Sequence, residues 1–226
     1  MTGDATVGVP VIAIDGPSAS GKGTIAANVA RSLGFHHLDS GALYRLVALA
    51  ALRSRASLED GDGLAALAKG LEVEMRGGDT LLSGTVVNED MRSEDCSRAA
   101  SQVAAVPAVR SALIGRQRAF RKPPGLVADG RDMGSVVFPD AALKIYLTAM
   151  PQARAERRYK QLMENGIDAN MRAILQDIAE RDARDSARSV APLQITRDAL
   201  VVDSTGLSIA QVTAQVLSLW QGRAKR

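Results

Sequence analysis

Residues 11–24, VIAIDGPSASGKGT, run from a short apolar stretch through a glycine-rich turn into a helical pattern. The G-x-x-x-x-G-K spacing from Gly16 to Lys22 constrains the fold more than any other feature of the chain. A phosphate nest of this kind needs a buried strand to deliver its first glycine and a helix that begins at its last. Gly16, Gly21 and Gly23 let backbone amides turn inward. The following helix then directs its positive end at an anion, and Lys22 adds a charge near the β and γ positions of a triphosphate. Pro17, Ser18, Ala19 and Ser20 fill the loop interior, where backbone amides alone are required. The residue after the lysine is Gly23 rather than Ser or Thr, so the hydroxyl arrives at Thr24, which can support Mg²⁺ directly or through water.

Hydrophobic periodicity extends this strand-turn-helix unit along the chain. A helix from about Gly21 to Leu33 carries Ile25, Val29 and Leu33 on one face and stops at Gly34. FHHLD is a short strand and GALYRLVALAALR is helical. Between about Leu71 and Asp90 the rhythm changes: apolar residues alternate and are broken at Gly77-Gly78-Asp79 and Ser83-Gly84, the pattern of antiparallel hairpins. Helices are predicted at about Ser93 to Ala105 and Pro107 to Arg121, the second with Pro in its first turn. GLVADGRD supplies a strand ending in Asp129, and ALKIYL and ALVVD supply two more. Two arginine-rich helices, PQARAERRYKQLMENG and NMRAILQDIAERDARDSAR, lie between the latter pair. A last helix opens with Ser208 and Gln211 at capping-box spacing. Five buried strands with crossover helices predict a three-layer α/β fold around a five-stranded parallel sheet, with a small antiparallel β insertion.

At 226 residues the chain suits one large domain with a modest insertion. The lone cysteine, Cys96, excludes an intrachain disulfide and a cysteine metal cluster, and fits a reducing compartment. The opening MTGDATVGVP lacks the basic start and apolar run of a signal peptide, and LVALAAL is far too short to span a bilayer, so a cytoplasmic protein without membrane contact is expected. A net charge of +3 argues against a broad nucleic-acid-binding face. Of the 28 basic residues only 6 are lysine, so arginine, whose fork grips phosphate in bidentate fashion, dominates.

Transfer of phosphate to a hydroxyl needs a base, whereas transfer to a phosphate does not, because the acceptor oxygen is already anionic near neutral pH. Such a site instead needs cations to gather several negative groups. Arg154, Arg157 and Arg158 can share one helical face, as can Arg181, Asp185 and Arg188. Spacing alone favours a solvated face laced with salt bridges to Asp177, Glu180 and Asp182. Asp129, ending an apolar strand, stands where a metal-supporting carboxylate belongs, or is a turn residue in Asp-Gly. His36 and His37 have no third ligand at matching spacing and read as strand-end residues, and Cys96 reads as an inert thiol.

The segments GPSASGKGT, LDSGALYR, AASQVAAVPAVR, RQRAFR, ADGRDMGSVVFPDA, ERDARDSAR, and APL followed by VVDST together closely resemble the bacterial cytidylate kinase family, from about Val11 to Trp220. That resemblance implies phosphoryl transfer from ATP, with Mg²⁺, to CMP or dCMP. It also implies the nucleoside monophosphate kinase fold: a core, a monophosphate-binding insertion at about 66–104, and a helical lid at about 150–170. By motif match, Gly16 to Thr24 hold the ATP phosphates with Arg157. Ser40, Arg45, Arg131 and Arg181 surround the CMP phosphate and sugar, Ser101, Arg110 and Asp132 the cytosine, and Asp185 and Arg188 the ribose end. Lys22, Arg131, Arg181 and Arg158 are the expected catalytic cations, and Thr24 and Asp129 the expected metal support. Ala19-Ser20 depart from the family's usual loop interior without touching the amides, and the insertion around Gly77 and Gly78 is compact. A monomer with small-molecule partners is expected. The alternatives are a P-loop kinase of another nucleoside monophosphate or small metabolite, with Asp39 or Asp132 as base for a hydroxyl acceptor, and an RNA-associated nucleotide-binding module. The latter is disfavoured by three Phe, three Tyr and one Trp for base stacking.

Overall fold

The computed structural model describes residues 8–76, 79–164 and 166–224. Residues 1–7, on which the signal-peptide expectation bears, and the expected break at Gly77-Gly78 lie outside the described residues. In chain order the elements begin with β1 (Val11–Asp15), α1 (Lys22–Leu33), β2 (His36–Asp39), α2 (Ser40–Ser54) and α3 (Gly61–Lys69). Next come β3 (Val73–Arg76), β4 (Asp79–Leu82), β5 (Thr85–Val86), α4 (Glu94–Val103) and α5 (Pro107–Arg118). The chain ends with β6 (Leu126–Gly130), β7 (Leu143–Thr148), α6 (Pro151–Glu164), α7 (Met171–Ala187), β8 (Leu200–Asp203) and α8 (Ile209–Ala224). Two compact units result: one takes the residues up to Leu38 together with those from Phe120 onward, the other Asp39–Ala119.

The first unit is built on a five-stranded sheet in the order β2-β6-β1-β7-β8. Strand β1 pairs in parallel with β6 and β7, and β7 pairs in parallel with β8. Every position of β1 and β6 is buried, which is why both read as unbroken apolar runs: a parallel strand covered on two faces has no solvent side to mark with polar residues. Ile12, Ile14, Val127, Ile145 and Leu147 pack against Ile25 and Val29 of α1 and Val212 and Val216 of α8. Phe35 meets Trp220 edge-on, with ring centroids 5.8 Å apart. Burying such rings contributes on the order of 2 kcal/mol each. Because β1 and β6 run parallel in register, Ile14 beside Asp129 and Asp15 beside Gly130, both strands release their chemistry-bearing residues at the same carboxyl end.

Helix α1 stops where expected: Gly34 sits at φ 66° and its N–H returns to Ala30 and Arg31 carbonyls. The capping box on α8 also forms, with Ser208 N–H donating to Gln211 Oε1 at 2.9 Å and Gln211 N–H to Ser208 Oγ at 3.3 Å. A π-helical turn, Met133–Val137, follows β6 and was not anticipated. Helices α6 and α7 pack on each other through Ala155, Leu162, Ile174 and Ile178, with Ala19 of the loop against this cluster.

In the second unit α2 packs on α4 and α3 on α5. Strands β3, β4 and β5 form the antiparallel sheet, registered by Val73 beside Leu82 and Leu81 beside Val86. Its second turn carries Ser83 and Gly84 at φ 48° and 78°, the paired positive values that a two-residue hairpin demands. Helix α3 was unanticipated, because Gly61 and Gly63 in its first turn read as loop; Asp60 rescues the start by accepting the Gly63 N–H at 3.0 Å. Helix α5 ends at Arg118 rather than Arg121, its last turn closed by the Ala119 N–H on the Gly115 carbonyl at 3.1 Å. Cys96 is buried, its thiol pKa is raised by that burial, and its Sγ donates to the Arg45 carbonyl at 3.5 Å. Among the described residues no helix is long and apolar enough to cross a membrane.

Candidate active site

The loop between β1 and α1 fits its place by glycine. A Cβ on Gly16 would stand 2.1 Å from the Leu147 carbonyl oxygen of β7, so the chain passes β7 only without a side chain. Gly21, at φ 88°, turns the backbone into α1, and Ile25 N–H returns to the Gly21 carbonyl at 3.1 Å. Ala19 holds φ 55°, a conformation an alanine adopts reluctantly.

What fixes the loop lies far along the sequence. Arg154 of α6 is 5% exposed; its Nη1 donates to the Ser18 carbonyl at 3.0 Å and its Nε to Ala149 at 3.1 Å. The same guanidinium pairs with Asp182 of α7 at 2.7 Å, and the Ser18 hydroxyl donates to Asp182 at 3.4 Å. One turn on, Arg157 donates to the Ser20 carbonyl at 3.2 Å, to Ser204 Oγ at 3.0 Å and to the Ser204 carbonyl at 2.6 Å. Thus two arginines hold carbonyls of the loop. Arg158 is half-buried on α6, with Nη1 donating to Gln161 Oε1 at 2.9 Å.

Lys22 donates to the Pro17 carbonyl at 3.1 Å. Its ammonium pKa is pulled down to about 7, first by burial and then by the positive fields of Arg131 and Arg181, against which Asp129 and Asp185 act. A lysine in that state can accept a proton as an anion arrives.

Asp129 is buried at the end of β6. Its Oδ1 lies 2.9 Å from His37 Nε2, and its Oδ2 lies 3.7 Å from where a Cβ would stand on Gly23. Thr24 is exposed at the start of α1. One carboxylate and one hydroxyl are hard oxygen donors, and Mg²⁺ characteristically takes few protein ligands beside nucleotide phosphates and water, so these residues fit that ion. Among the described residues no three or more His, Cys, Asp or Glu side chains gather to hold a metal.

Arg131 Nε donates to Asp185 Oδ2 at 2.5 Å, and Arg188 pairs with Asp185 Oδ1. Burial alone would raise the Asp185 pKa; Arg131 and Arg188 outweigh it and hold the carboxyl below its ordinary value. Arg181 acts electrostatically on both Lys22 and Asp185. Asp132 is buried, and the residue after it, Met133, begins the π-helical turn. The first unit therefore gathers the loop, Lys22, Asp129, Arg131, Arg181, Asp185 and Arg188.

The second unit carries Ser40, Arg45, Ser101 and Arg110. Ser40 and Ser101 are buried on α2 and α4. Arg45 lies 3.6 Å from Asp39, the residue that caps α2 by accepting the Ala42 N–H at 3.1 Å. Arg110, 7% exposed, donates to the Ala104 carbonyl at 3.0 Å and stacks over Tyr44 with its carbon 5.5 Å from the ring centroid.

Three residues escaped the sequence reading. Asp15 ends β1 and accepts the N–H groups of Met133 and Gly134, each at 2.8 Å, on its two oxygens. Its pKa is raised to about 6, by burial above all and by Asp132 in a smaller measure, with the two N–H donors opposing. A charged residue closing an apolar strand just before Gly16 was the available signal. Ser204 was unmarked although VVDST was noted, and His37 was set aside for want of metal-ligand spacing.

The family model described as "Cytidylate kinase" matches residues 12–222. A cytidylate kinase of Bordetella bronchiseptica (strain ATCC BAA-588 / NCTC 13252 / RB50) is 57% identical over 212 residues, covering 94% of this chain and 95% of that protein. One from Burkholderia pseudomallei (strain K96243) is 56% identical over 212 residues, covering 94% and 93%. One from Nitrosomonas europaea is 55% identical over 212 residues, covering 94% and 95%.

Proposed function

The chain belongs to the cytidylate kinase family, and on that premise we propose how its residues divide the transfer of the γ-phosphoryl group of ATP to CMP. It is an ATP-dependent CMP kinase; the assignment of each residue and the extension to dCMP are our reading. The observation that carries that reading is the setting of Lys22 at the phosphate loop: burial first, and then the positive fields of Arg131 and Arg181, loosen its hold on a proton, and a bound anion would restore it.

Gly16 to Thr24 cradle the ATP phosphates with backbone amides and Lys22. Arg157 serves ATP through the Ser20 carbonyl it holds. Lys22, Arg131 and Arg181, with Arg158 added from α6, neutralise charge on a loose transferring phosphoryl group. No base is needed, because the CMP phosphate oxygen is already ionised near pH 7; positioning and charge neutralisation supply the rate. Asp129 and Thr24 would hold Mg²⁺, which when bound would supply positive charge to offset that of the phosphates.

In the first unit, Arg131 and Arg181 take the CMP phosphate and sugar, Asp132 the cytosine amino group, and Asp185 and Arg188 the ribose end. In the second, Ser40 and Arg45 take the phosphate and sugar, and Ser101 and Arg110 offer donors to N3 and O2 of the base. Uracil would set a carbonyl against Asp132, a mismatch that buried polar pairs reject by roughly 10⁴ in favourable cases. A 2′-deoxy sugar keeps its 3′-hydroxyl, so dCMP is also a substrate. Residues of about 66–104 form the monophosphate-binding insertion and about 150–170 the lid. The enzyme works in the cytoplasm as a monomer, on small molecules and without nucleic acid or membrane, in keeping with a lone buried thiol and a net charge of +3.

A coupled assay across CMP, dCMP, UMP and AMP tests the assignment. CMP and dCMP should turn over at low concentration and UMP should not, and Asp132→Ala should raise the KM for CMP far more than that for ATP. Comparable use of UMP, or an unchanged CMP KM, removes Asp132 from the base pocket.

A further inference from the structure

We propose that His37 is a positioning residue for the phosphoryl-donor end of the site: it fixes the rotation of the Asp129 carboxylate so that one oxygen is spent on His37 and the other is presented to the loop. The inference rests on the reading of Asp129 as the metal-supporting carboxylate.

Adjacent residues on a strand face opposite ways, and the two histidines of β2 show it. His36 turns outward, its Nε2 3.0 Å from the Pro123 carbonyl. His37 reaches across to the neighbouring strand β6, where its Nε2 meets Asp129 Oδ1 at 2.9 Å. A metal-site reading by spacing fails for this pair because His37 acts on a ligand's carboxylate, a role with no sequence spacing of its own.

The carboxylate needs such a partner. The terminal torsion of aspartate is soft and roughly two-fold, so burial alone does not choose which oxygen faces which way. His37, in its Nε2–H form, donates to Oδ1 and sets the plane. The geometry at the other oxygen agrees: Oδ2 lies 3.7 Å from the Cβ position of Gly23, one residue past Lys22. That is an ordinary van der Waals separation, and it sets Oδ2 beside the first turn of α1. Outer partners that orient a ligand commonly change metal affinity ten- to a hundredfold when removed.

The test is equilibrium binding of ATP to the full chain by calorimetry, without CMP, in Mg²⁺ and again in EDTA. His37→Phe should weaken ATP binding about tenfold in Mg²⁺ while leaving it within about twofold in EDTA, with CMP affinity unchanged. His37→Gln, which returns an N–H donor at similar reach, should recover most of the loss. Asp129→Asn should abolish the Mg²⁺-dependent gain altogether. If Asp129→Asn keeps that gain, the metal reading of Asp129 fails and His37 falls with it. If Asp129→Asn loses the gain and His37→Phe keeps it, or loses affinity equally in EDTA, the metal reading survives and His37 is a strand tie only.

Discussion

Replacing Asp15 by Asn separates stability from function in a way the burial of this carboxylate makes quantitative. Its pKa rises from 3.8 to about 6 in the folded chain, with burial the largest cause. At about 1.4 kcal/mol per pKa unit, holding it ionised at pH 7 costs about 3 kcal/mol relative to the unfolded chain. The sign follows: the group's favourable contribution is whole below pH 3.8 and is lost as pH rises through about 6. Asparagine removes that cost. It also sets an NH₂ against one of the Met133 and Gly134 N–H groups and leaves that donor orphaned, a penalty of about 1–3 kcal/mol. The two effects nearly cancel, so Asp15→Asn should be as stable as the parent at pH 7.5 or up to about 2 kcal/mol more so, and comparatively less stable at pH 4.5. Function should not be spared. The displaced amides directly follow Arg131 and Asp132, and kcat/KM for CMP should fall at least about tenfold, with the ATP KM moving less. Urea denaturation at the two pH values, beside steady-state kinetics, reads both. A stability loss above about 3 kcal/mol at pH 7.5 with unchanged kinetics for CMP would show that Asp15 is an ordinary core tie and that this reasoning is wrong.

Two further expectations concern the loop. A Lys22 ammonium with a pKa of about 7 is mostly neutral at pH 8, and bound phosphates favour its charged form, so ATP binding there should take up about 0.9 proton. Calorimetry in buffers of different ionisation enthalpy measures this; Lys22→Arg should abolish the uptake, and a parent value below about 0.2 would contradict the electrostatic account. Gly16→Ala drives a Cβ to 2.1 Å from the Leu147 carbonyl and should destabilise the fold by about 3 kcal/mol or more, seen as a fall of roughly 6–12 °C in Tm. A variant that melts normally and binds ATP would mean the two strands separate more readily than their packing implies.

The parts of this molecule legible in sequence were those in which local pattern and tertiary context agree. β1 was legible because a doubly covered strand is apolar throughout, and the end of α1 because Gly34 closes it in a conformation that glycine adopts freely. Helix α3 was missed because its glycines oppose helix locally while Asp60, Leu64, Ala65 and Ala68 secure it by capping and burial. The arginines of α6 were ambiguous for a different reason. Spacing offered a salt-bridged face or a phosphate face, and Arg154 is neither alone, since it spends its guanidinium on Asp182 and on backbone carbonyls 136 residues away in Ser18 and nearby in Ala149. Asp15, His37 and Ser204 act on groups brought near by strand order, Asp15 on amides 118 and 119 residues away, and no periodicity encodes that.

The backing of the loop by Arg154 and Arg157 has a consequence for how this nucleotide site can be inherited. Each peptide unit that turns an amide toward an anion turns a carbonyl away from it, and a guanidinium on that far side polarises the unit and strengthens the amide's pull. The glycine-rich motif is thus only the visible half of a binding device whose other half is written after residue 150. A fragment or chimera that keeps VIAIDGPSASGKGT but exchanges α6 and the Ser204 turn would retain the signature and lose much of its grip. Transplanting the site means moving two stretches of chain that no linear motif search would join.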